Sequence, residues 1–223
     1  MIGGTGLIGA AVVARLRNEG MIVEVASRHP TDGAIVGGIV GGIMIDAGDE
    51  GSVAEGVADV LRRHGRIDAL VVAAAPAAHT LDPSRNSDPD QVLAAFDAKA
   101  MVFLRAARAV IPAMKAAAYG RIVVISGQNA WLTGNITGSV RNAATILVAE
   151  NLADELAGTG VLVNAVNPAT VTGTPSQEVQ PGRGGDSTPQ QIADLVAFLS
   201  SPLSAVSAES VAVGHRVRGV TSL

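Results

Sequence analysis

The stretch GGTGLIG, residues 3–9, places three glycines at a spacing of three, immediately before a helical pattern of apolar residues. In such a stretch one glycine makes a tight turn, and a second lets the backbone approach a pyrophosphate. A third lets the following helix pack on a strand. The first turn of that helix would offer its N–H groups to the anion. By itself the spacing is weak evidence, because a glycine-rich turn can also serve packing alone, so its meaning depends on the rest of the chain.

Short, almost continuously apolar runs follow at regular intervals, as expected for strands that are covered on both faces. We predict strands in MIVEVAS (21–27), GGIMIDA (41–47), IDALVVAAA (67–75), RIVVIS (121–126), VLVNAV (161–166) and ESVAV (209–213). The glycine-rich IVGGIVGG (35–42) leaves little room for a full helix between the first two of these runs.

Helical patterns lie between the apolar runs, over residues 7–19, 52–64, about 89–117, 137–157 and 189–199. The last of these begins with Thr188 as an N-cap and Pro189 at the first helical position. Strands that alternate with helices imply right-handed βαβ units. We therefore expect a single domain over residues 1–223, with a Rossmann-type doubly wound parallel sheet in a three-layer α/β/α arrangement. Only Met1 and Ile2 precede the first glycine turn, so the first strand is expected to be truncated.

The composition of the chain limits the classes of protein to which it can belong. The chain has 223 residues, of which 48% are hydrophobic, and none of its apolar runs reaches the roughly 18 residues that span a bilayer. The first residues lack the basic start and cleavage region of a signal peptide, and the sequence contains no cysteine, so we expect a cytoplasmic protein without disulfides or thiolate sites. A net charge of -4 and 2% aromatic residues argue against nucleic-acid binding. The four histidines show no metal-ligand spacing.

The predicted strand at 21–27 ends in Ser27 and is followed by Arg28, where an NAD-selective site would carry an acidic residue. A small polar residue followed by arginine suits a 2′-phosphate, which indicates NADP(H). The alternative is that Arg28 is a solvated loop residue. Asp46, at the end of the next strand, could bind the adenine amino group or simply form a turn.

Over nearly its whole length the sequence resembles the short-chain dehydrogenase/reductase family. The similarity lies in GGTGLIG, DAGDEGSV (46–53), GRIDALVVAAA (65–75), GRIVVISG (120–127), LADELAGTGVLVNAVNPATVTGTP (152–175) and TPQQIADLVAFLSSP (188–202). The resemblance implies a nicotinamide cofactor, hydride transfer between a carbonyl and an alcohol, and an Asn-Ser-Tyr-Lys tetrad. The cofactor positions that we carry over are Gly3, Thr5, Gly6, Leu7, Ile8, Gly9, Ser27, Arg28, Asp46, Ala47, Ala73, Ala74, Ala75, Pro168 and Val171.

The catalytic positions depart from the family pattern. The family tyrosine falls on Gly138, which leaves a space of about ring size, and the family lysine falls on Asn142. The single tyrosine, Tyr119, lies before the GRIVVIS strand and cannot take the place. The serine position falls on Ser126 or Gly127, and Ser126 is the candidate.

The family asparagine falls on Lys99, within FDAKAMVFL (96–104), whereas the family lysine falls on Asn142. The two residue types have therefore exchanged places. In the family these two positions face each other. Lys99 could therefore bring its ammonium to the same space, and partial burial would lower its pKa and make it an acid. The alternative is a lysine that extends to solvent. Ser126, Lys99 and Asn142 are the catalytic candidates. His79 is a conceivable acid or an exposed loop residue, and Trp131 covers a substrate or belongs to the core.

Three functions remain open. The chain is an NADP(H)-dependent reductase of a small-molecule carbonyl substrate, a noncatalytic NADP(H)-binding sensor or partner subunit, or a non-redox cyclase, dehydratase or aldolase on the same scaffold. Ile146, Leu147 and Val148 make the helix at 137–157 apolar on more than one side, so we expect a homo-oligomer, either a dimer or a tetramer.

Overall fold

Strands and helices alternate along the described parts of the chain, which are residues 1–28, 42–74 and 81–217 of the computed structural model. The strands are β1 (Ala26–Ser27), β2 (Ile43–Met44), β3 (Ala69–Val72), β4 (Gly120–Ile125), β5 (Val161–Pro168) and β6 (Ser210–Val213). The helices are α1 (Leu7–Asn18), α2 (Glu50–His64), α3 (Pro89–Phe96), α4 (Val102–Ala116), α5 (Ile136–Glu155) and α6 (Pro189–Ser200). One π-helical turn, Asp97–Met101, joins α3 to α4, and short 3₁₀ turns lie at Pro83–Arg85 and Gln128–Trp131.

All strand pairs in the described parts of the chain are parallel. β1 pairs with β2, and β3, β4, β5 and β6 follow one another in a second ladder. Ile2 joins the two ladders, because it forms a parallel bridge to Ala26 on one side and to Val72 on the other. The predicted α/β class with a parallel sheet and a truncated first strand is confirmed.

Helices cover both faces of the sheet. On one face α1 and α6 pack through Val12, Leu16, Ile192 and Val196 against residues of β3, β4 and β5. On the other face α2, α4 and α5 pack through Val53, Phe103, Val110, Ile146 and Leu152. The strands are therefore buried from both sides, which explains their continuous apolar runs.

The two predicted strands on the far side of Ile2 are much shorter than expected. Of residues 21–27 only Ala26–Ser27 form a strand, and of residues 41–47 only Ile43–Met44 do so. The physical reason lies in the centre of the sheet. There Met1 and Ile2 give residues 21–27 only a few backbone hydrogen bonds with which to form a ladder. Residues 35–41 of the glycine-rich stretch lie outside the described residues.

The single helix predicted at about 89–117 is divided by the π-helical turn at Asp97–Met101. Such turns insert an extra residue into the helical ladder and are frequent at functional sites. Here the turn contains Lys99 and directs its side chain into the protein, where only 5% of the residue is exposed.

Side-chain caps fix the starts of four of the described helices, and at α3 the Asp88 side chain accepts the Asp90 N–H. Asp49 accepts the Ser52 N–H at α2, and Asn135 accepts the Gly138 N–H at α5. Thr188 and Gln191 form a reciprocal capping box at α6, with Pro189 in the first turn, as the sequence predicts.

Candidate functional site

The glycine turn lies at the carboxyl ends of the central strands. Gly6 is the N-cap of α1, and Gly3 has a φ of 80° that only glycine adopts easily. A Cβ on Gly3 would come within 2.6 Å of the Ala74 amide nitrogen, and a Cβ on Gly9 would collide with the Gly3 carbonyl oxygen. The closest atom to a Cβ on Gly6 is the Gly3 oxygen at 3.7 Å, so this side of the turn is open. The residues present therefore fit a pyrophosphate at the start of α1.

The other cofactor candidates lie around this turn. Ala73 donates its N–H to the Ile2 carbonyl at 2.9 Å, which holds β3 against the turn, whereas Thr5 and Leu7 are exposed beside it. Ser27 ends β1, and Arg28 directly follows it in an exposed position. Ala75 and His79 lie outside the described residues.

Asp46 has the turn-forming role that the sequence left open. Its Oδ1 atom accepts the Gly48 N–H at 3.0 Å, and its own N–H donates to the Ser52 hydroxyl at 2.9 Å. Its carboxylate is exposed, while the neighbouring Ala47 is buried.

Lys99 and Asn142 meet inside the protein. The Lys99 Nζ atom donates to Asn142 Oδ1 at 2.7 Å and to the Ser126 carbonyl oxygen at 3.1 Å. Both side chains are buried, with 5% and 4% of each residue exposed. The structure thus brings the exchanged pair together, and the alternative of a solvent-exposed lysine is wrong.

Burial lowers the pKa of the Lys99 ammonium from its ordinary value to about 7, and the nearby Arg141 guanidinium acts in the same direction. Burial also lowers the pKa of Arg141. Among the described residues the acceptors of Lys99 are neutral oxygens, and neither of them is a carboxylate that would offset the cost of burying its charge.

Ser126 does not face the site as expected. Its hydroxyl is buried and donates to the Asn142 carbonyl oxygen at 2.9 Å, so it ties the end of β4 to α5. A Cβ on Gly127, the other serine position, would lie 3.0 Å from Asn142 Nδ2. Position 127 is therefore the one that faces the Lys99–Asn142 pair.

The ring-sized space expected at Gly138 is also absent, because the Asn135 side chain lies against this glycine. Asn135 Oδ1 accepts the Gly138 N–H at 2.8 Å, and a Cβ on Gly138 would come within 2.9 Å of Asn135 Nδ2. Asn135 was missed in the sequence, although an asparagine before a helical pattern is a recognisable N-cap signal.

The carboxyl-terminal stretch of the described chain forms a wall beside the site. Gln128, only 1% exposed, donates to the Val213 and His215 carbonyls and accepts the Val217 N–H. The Arg216 guanidinium lies 4.8 Å from the centre of the Trp131 ring. These contacts join residues more than 80 positions apart, and nothing local in the sequence signals them.

Pro168 and Val171 also lie in this region. Pro168 ends β5 beside Val213, and Val171 forms a bridge to Ser187. Among the described residues we find no helix long and apolar enough to cross a membrane, and no group of side chains arranged to hold a metal ion.

Comparison with known proteins places these features in a family. The family model described as short chain dehydrogenase matches residues 1–183. Among curated proteins, the (2S)-[(R)-hydroxy(phenyl)methyl]succinyl-CoA dehydrogenase subunit BbsC of Thauera aromatica is 32% identical, over 88% of this chain and 84% of its own length. The short-chain reductase protein NovJ of Streptomyces niveus is 31% identical, over 92% of this chain and 87% of its own.

The solved structures are more distant in sequence and bear on the fold alone. The structure of YwfH, described as an NADPH dependent reductase involved in bacilysin biosynthesis, superimposes with a TM-score of 0.75 at 22% identity. It covers 96% of this chain and 97% of its own. Since the family model matches more than half of the chain and two curated relatives agree with it, this protein belongs to the short-chain dehydrogenase/reductase family.

Proposed function

We propose that the protein binds NADP(H) and reduces a small carbonyl compound, or oxidises the matching alcohol, with Lys99 as the proton donor. One observation carries this proposal: the Lys99 ammonium lies buried against Asn142 and the end of β4. The family resemblance implies a lysine, which provides a positive charge, and a separate proton donor in this space. Lys99 would supply both the charge and the proton.

The glycine turn and its neighbours support the cofactor. Gly3, Gly6 and Gly9 leave the start of α1 free of side chains that would obstruct a pyrophosphate. Arg28 is exposed directly after Ser27, where a 2′-phosphate would distinguish NADP(H) from NAD(H). YwfH, which this chain resembles in fold, is described as NADPH dependent.

The hydrogen bonds of Lys99 support its proposed role as a proton donor. An ammonium carries three N–H groups, and two of those of Lys99 go to Asn142 Oδ1 and the Ser126 carbonyl. The third can donate to a substrate oxygen. A nicotinamide cofactor held at the glycine turn would supply the hydride for the carbonyl carbon. Lys99 gives its proton to the carbonyl oxygen, which yields the alcohol, and the neutral amine then takes up a proton from water.

A second candidate is a cofactor-binding partner subunit without turnover. Two observations favour it. The relative BbsC is named as a subunit of a dehydrogenase. In this chain the Ser126 hydroxyl is used by α5, and Gly138 provides no side chain at the tyrosine position.

We also propose that the protein forms a homo-oligomer through α5. Leu147 is 57% exposed on this helix, and Ile136 and Val140 are exposed on the same side. Burial of such a stripe against a second subunit would remove it from water.

Calorimetric titration with NADPH and with NADH tests the cofactor first, and NADPH oxidation with a panel of aldehydes and ketones tests turnover. We expect NADPH to bind more tightly than NADH, and Arg28→Ala to reduce that preference while Arg62→Ala, another exposed arginine, does not. Binding with turnover supports the reductase, and binding without turnover supports the partner subunit. Failure of both nucleotides to bind would overturn both candidates.

A further inference from the structure

Arg216 lies at the edge of the candidate site, with its guanidinium over an aromatic ring. The centre of the Trp131 ring is 4.8 Å from the Arg216 Cζ atom. Arg216 is exposed, whereas Trp131 is half-buried and packs against the hydrophobic core. An arginine that stacks on a ring keeps the N–H groups at its edge available, so it can still bind a planar anion.

The charge of Arg216 is not neutralised by an ion pair within the part of the chain that the structure describes. Other exposed arginines, such as Arg62 and Arg85, form ion pairs with neighbouring carboxylates. Asp186, in a neighbouring segment, uses its carboxylate to accept the Ser176 N–H at 3.1 Å. Arg216 therefore presents a positive charge to a ligand that enters from solvent.

The backbone that carries Arg216 is held from within the protein. The buried Gln128 side chain donates to the His215 carbonyl at 3.2 Å and accepts the Val217 N–H at 2.8 Å. The His215 carbonyl also accepts the Gly185 N–H at 2.8 Å. Hydrogen bonds thus fix the residues on both sides of Arg216, and a ligand would meet a cation whose backbone is already in place.

The same stretch of chain connects Arg216 to the proposed proton donor. Lys99 donates to the Ser126 carbonyl, which lies two residues before Gln128. Two residues of extended chain span about 7 Å. A compound several bonds long can therefore place its carbonyl group at Lys99 and an anionic group at Arg216.

We propose that Arg216 anchors a carboxylate of the substrate, so that the site takes an oxo acid whose carboxylate lies several bonds from the carbonyl group. This inference rests on the proposed function, because it names the substrate class of that reaction. The planar fork of an arginine matches the two oxygens of a carboxylate. The Arg141 guanidinium acts on Lys99 through its charge, so the interior of the site is positive too, although the whole chain has a net charge of -4.

The fluorescence of Trp131, the only tryptophan of the chain, reports binding beside Arg216 without any turnover. The probes are 4-oxopentanoate, 5-oxohexanoate and 6-oxoheptanoate, each compared with its uncharged methyl ester. In titrations of the whole chain, with and without NADP⁺, we expect at least one acid to bind about tenfold or more tightly than its ester. Arg216→Met should remove this difference. Arg216→Lys, which keeps the charge without the fork, should retain part of it.

Arg183→Met is the matched control, because Arg183 is also exposed but bonds to Gln180 and not to a ring. It should change the dissociation constants by less than about twofold, and the Tm of each variant checks its folding. Wild-type protein that binds every acid no more tightly than its ester would overturn the anchor, as would equal effects of Arg216→Met and Arg183→Met. Tighter binding of dihydroxyacetone phosphate than of any oxo acid would overturn the assignment to a carboxylate.

NADPH oxidation with the same probes separates this inference from the proposed function. Selective binding of an oxo acid without its reduction supports the Arg216 anchor and counts against the reductase. Reduction of the esters as fast as the acids, unchanged in Arg216→Met, supports the reductase and overturns the anchor.

Discussion

At the scale of single residues, the proposed chemistry depends on Lys99. Its ammonium is buried with neutral partners, so its positive charge is poorly screened from any ligand that enters. We expect Lys99→Met to weaken NADPH binding by about tenfold or more, because a hydrogen bond from a charged group contributes about 1.5–3 kcal/mol.

Lys115→Met is the matched control, since Lys115 is the only other lysine and is exposed at the end of α4. It should change the dissociation constant by less than about twofold. Calorimetry on both variants, with their Tm values as a check on folding, decides whether Lys99 contributes to NADPH binding. Equal losses of affinity would remove Lys99 from the site.

The lowered pKa of Lys99 also makes the stability of the protein depend on pH. Its pKa is about 7 in the folded protein and higher in the unfolded chain, so between these values the unfolded chain binds more protons. Stability must therefore rise with pH from about 7 toward 10, and the penalty for burying the charged form is fully present below pH 7.

In Lys99→Met this contribution vanishes, and the slope of unfolding free energy against pH should fall by about 1.4 kcal/mol per pH unit within that window. Urea unfolding at several pH values measures the slope for the two proteins. Parallel slopes would mean that Lys99 is not buried as a titrating group.

If Lys99 is the proton donor, carbonyl reduction should slow as pH rises above about 7. Lys99→Arg, which keeps the charge but does not release a proton, should be inactive.

At the scale of elements, the side chain that caps α5 leaves no room for a side chain at position 138. Asn135 caps the helix through the Gly138 N–H, and its amide occupies the space that a side chain at position 138 would need. Gly138→Ala should therefore destabilise the protein, although alanine in a helix is favoured over glycine by about 1 kcal/mol.

Asn135→Ala should cost about 1 kcal/mol through loss of the cap. In that background the clash is gone, so Gly138→Ala should become stabilising and the effects of the two substitutions should not add. Denaturant unfolding of the wild type, both single variants and the double variant closes the cycle, with Asn129→Ala as a control for an exposed asparagine. Additive effects would show that Asn135 does not block position 138.

The accuracy of the sequence-based predictions follows the range of the interactions involved. Thr188 and Pro189 predict the start of α6 correctly, because a capping box forms within four residues. The strand predicted at 21–27 is too long because its pairing depends on the few residues before Gly3. The π-helical turn at Lys99 and the contacts of Gln128 with residues 213–217 depend on tertiary packing, and no local pattern indicates them. The expected orientation of the Ser126 side chain is wrong for a related reason. A shift of one residue at the end of a strand moves a side chain to the opposite face of the sheet.

At the scale of the whole molecule, α5 connects the candidate site to a surface suited to association. One side of the helix is buried and contains Asn142 and Ile146, whereas Leu147 is exposed on the other side. Of the three consecutive apolar residues that predict association, Ile146 belongs to the core and Leu147 faces outward. A subunit that packed on this surface would steady the helix that holds Asn142.

The surface is tested by placing a charge on it. Leu147→Glu should shift the protein toward the monomer, because a carboxylate would have to be buried at the interface without a partner. Leu203→Glu is the control, since Leu203 is 88% exposed and lies after α6, outside α5. Sedimentation velocity over a range of concentrations should give a lower mass for the first variant only, and its NADPH affinity should fall if the partner steadies Asn142. A wild type that sediments as a monomer at all concentrations would contradict the homo-oligomer. An unchanged mass in Leu147→Glu would move the interface away from α5.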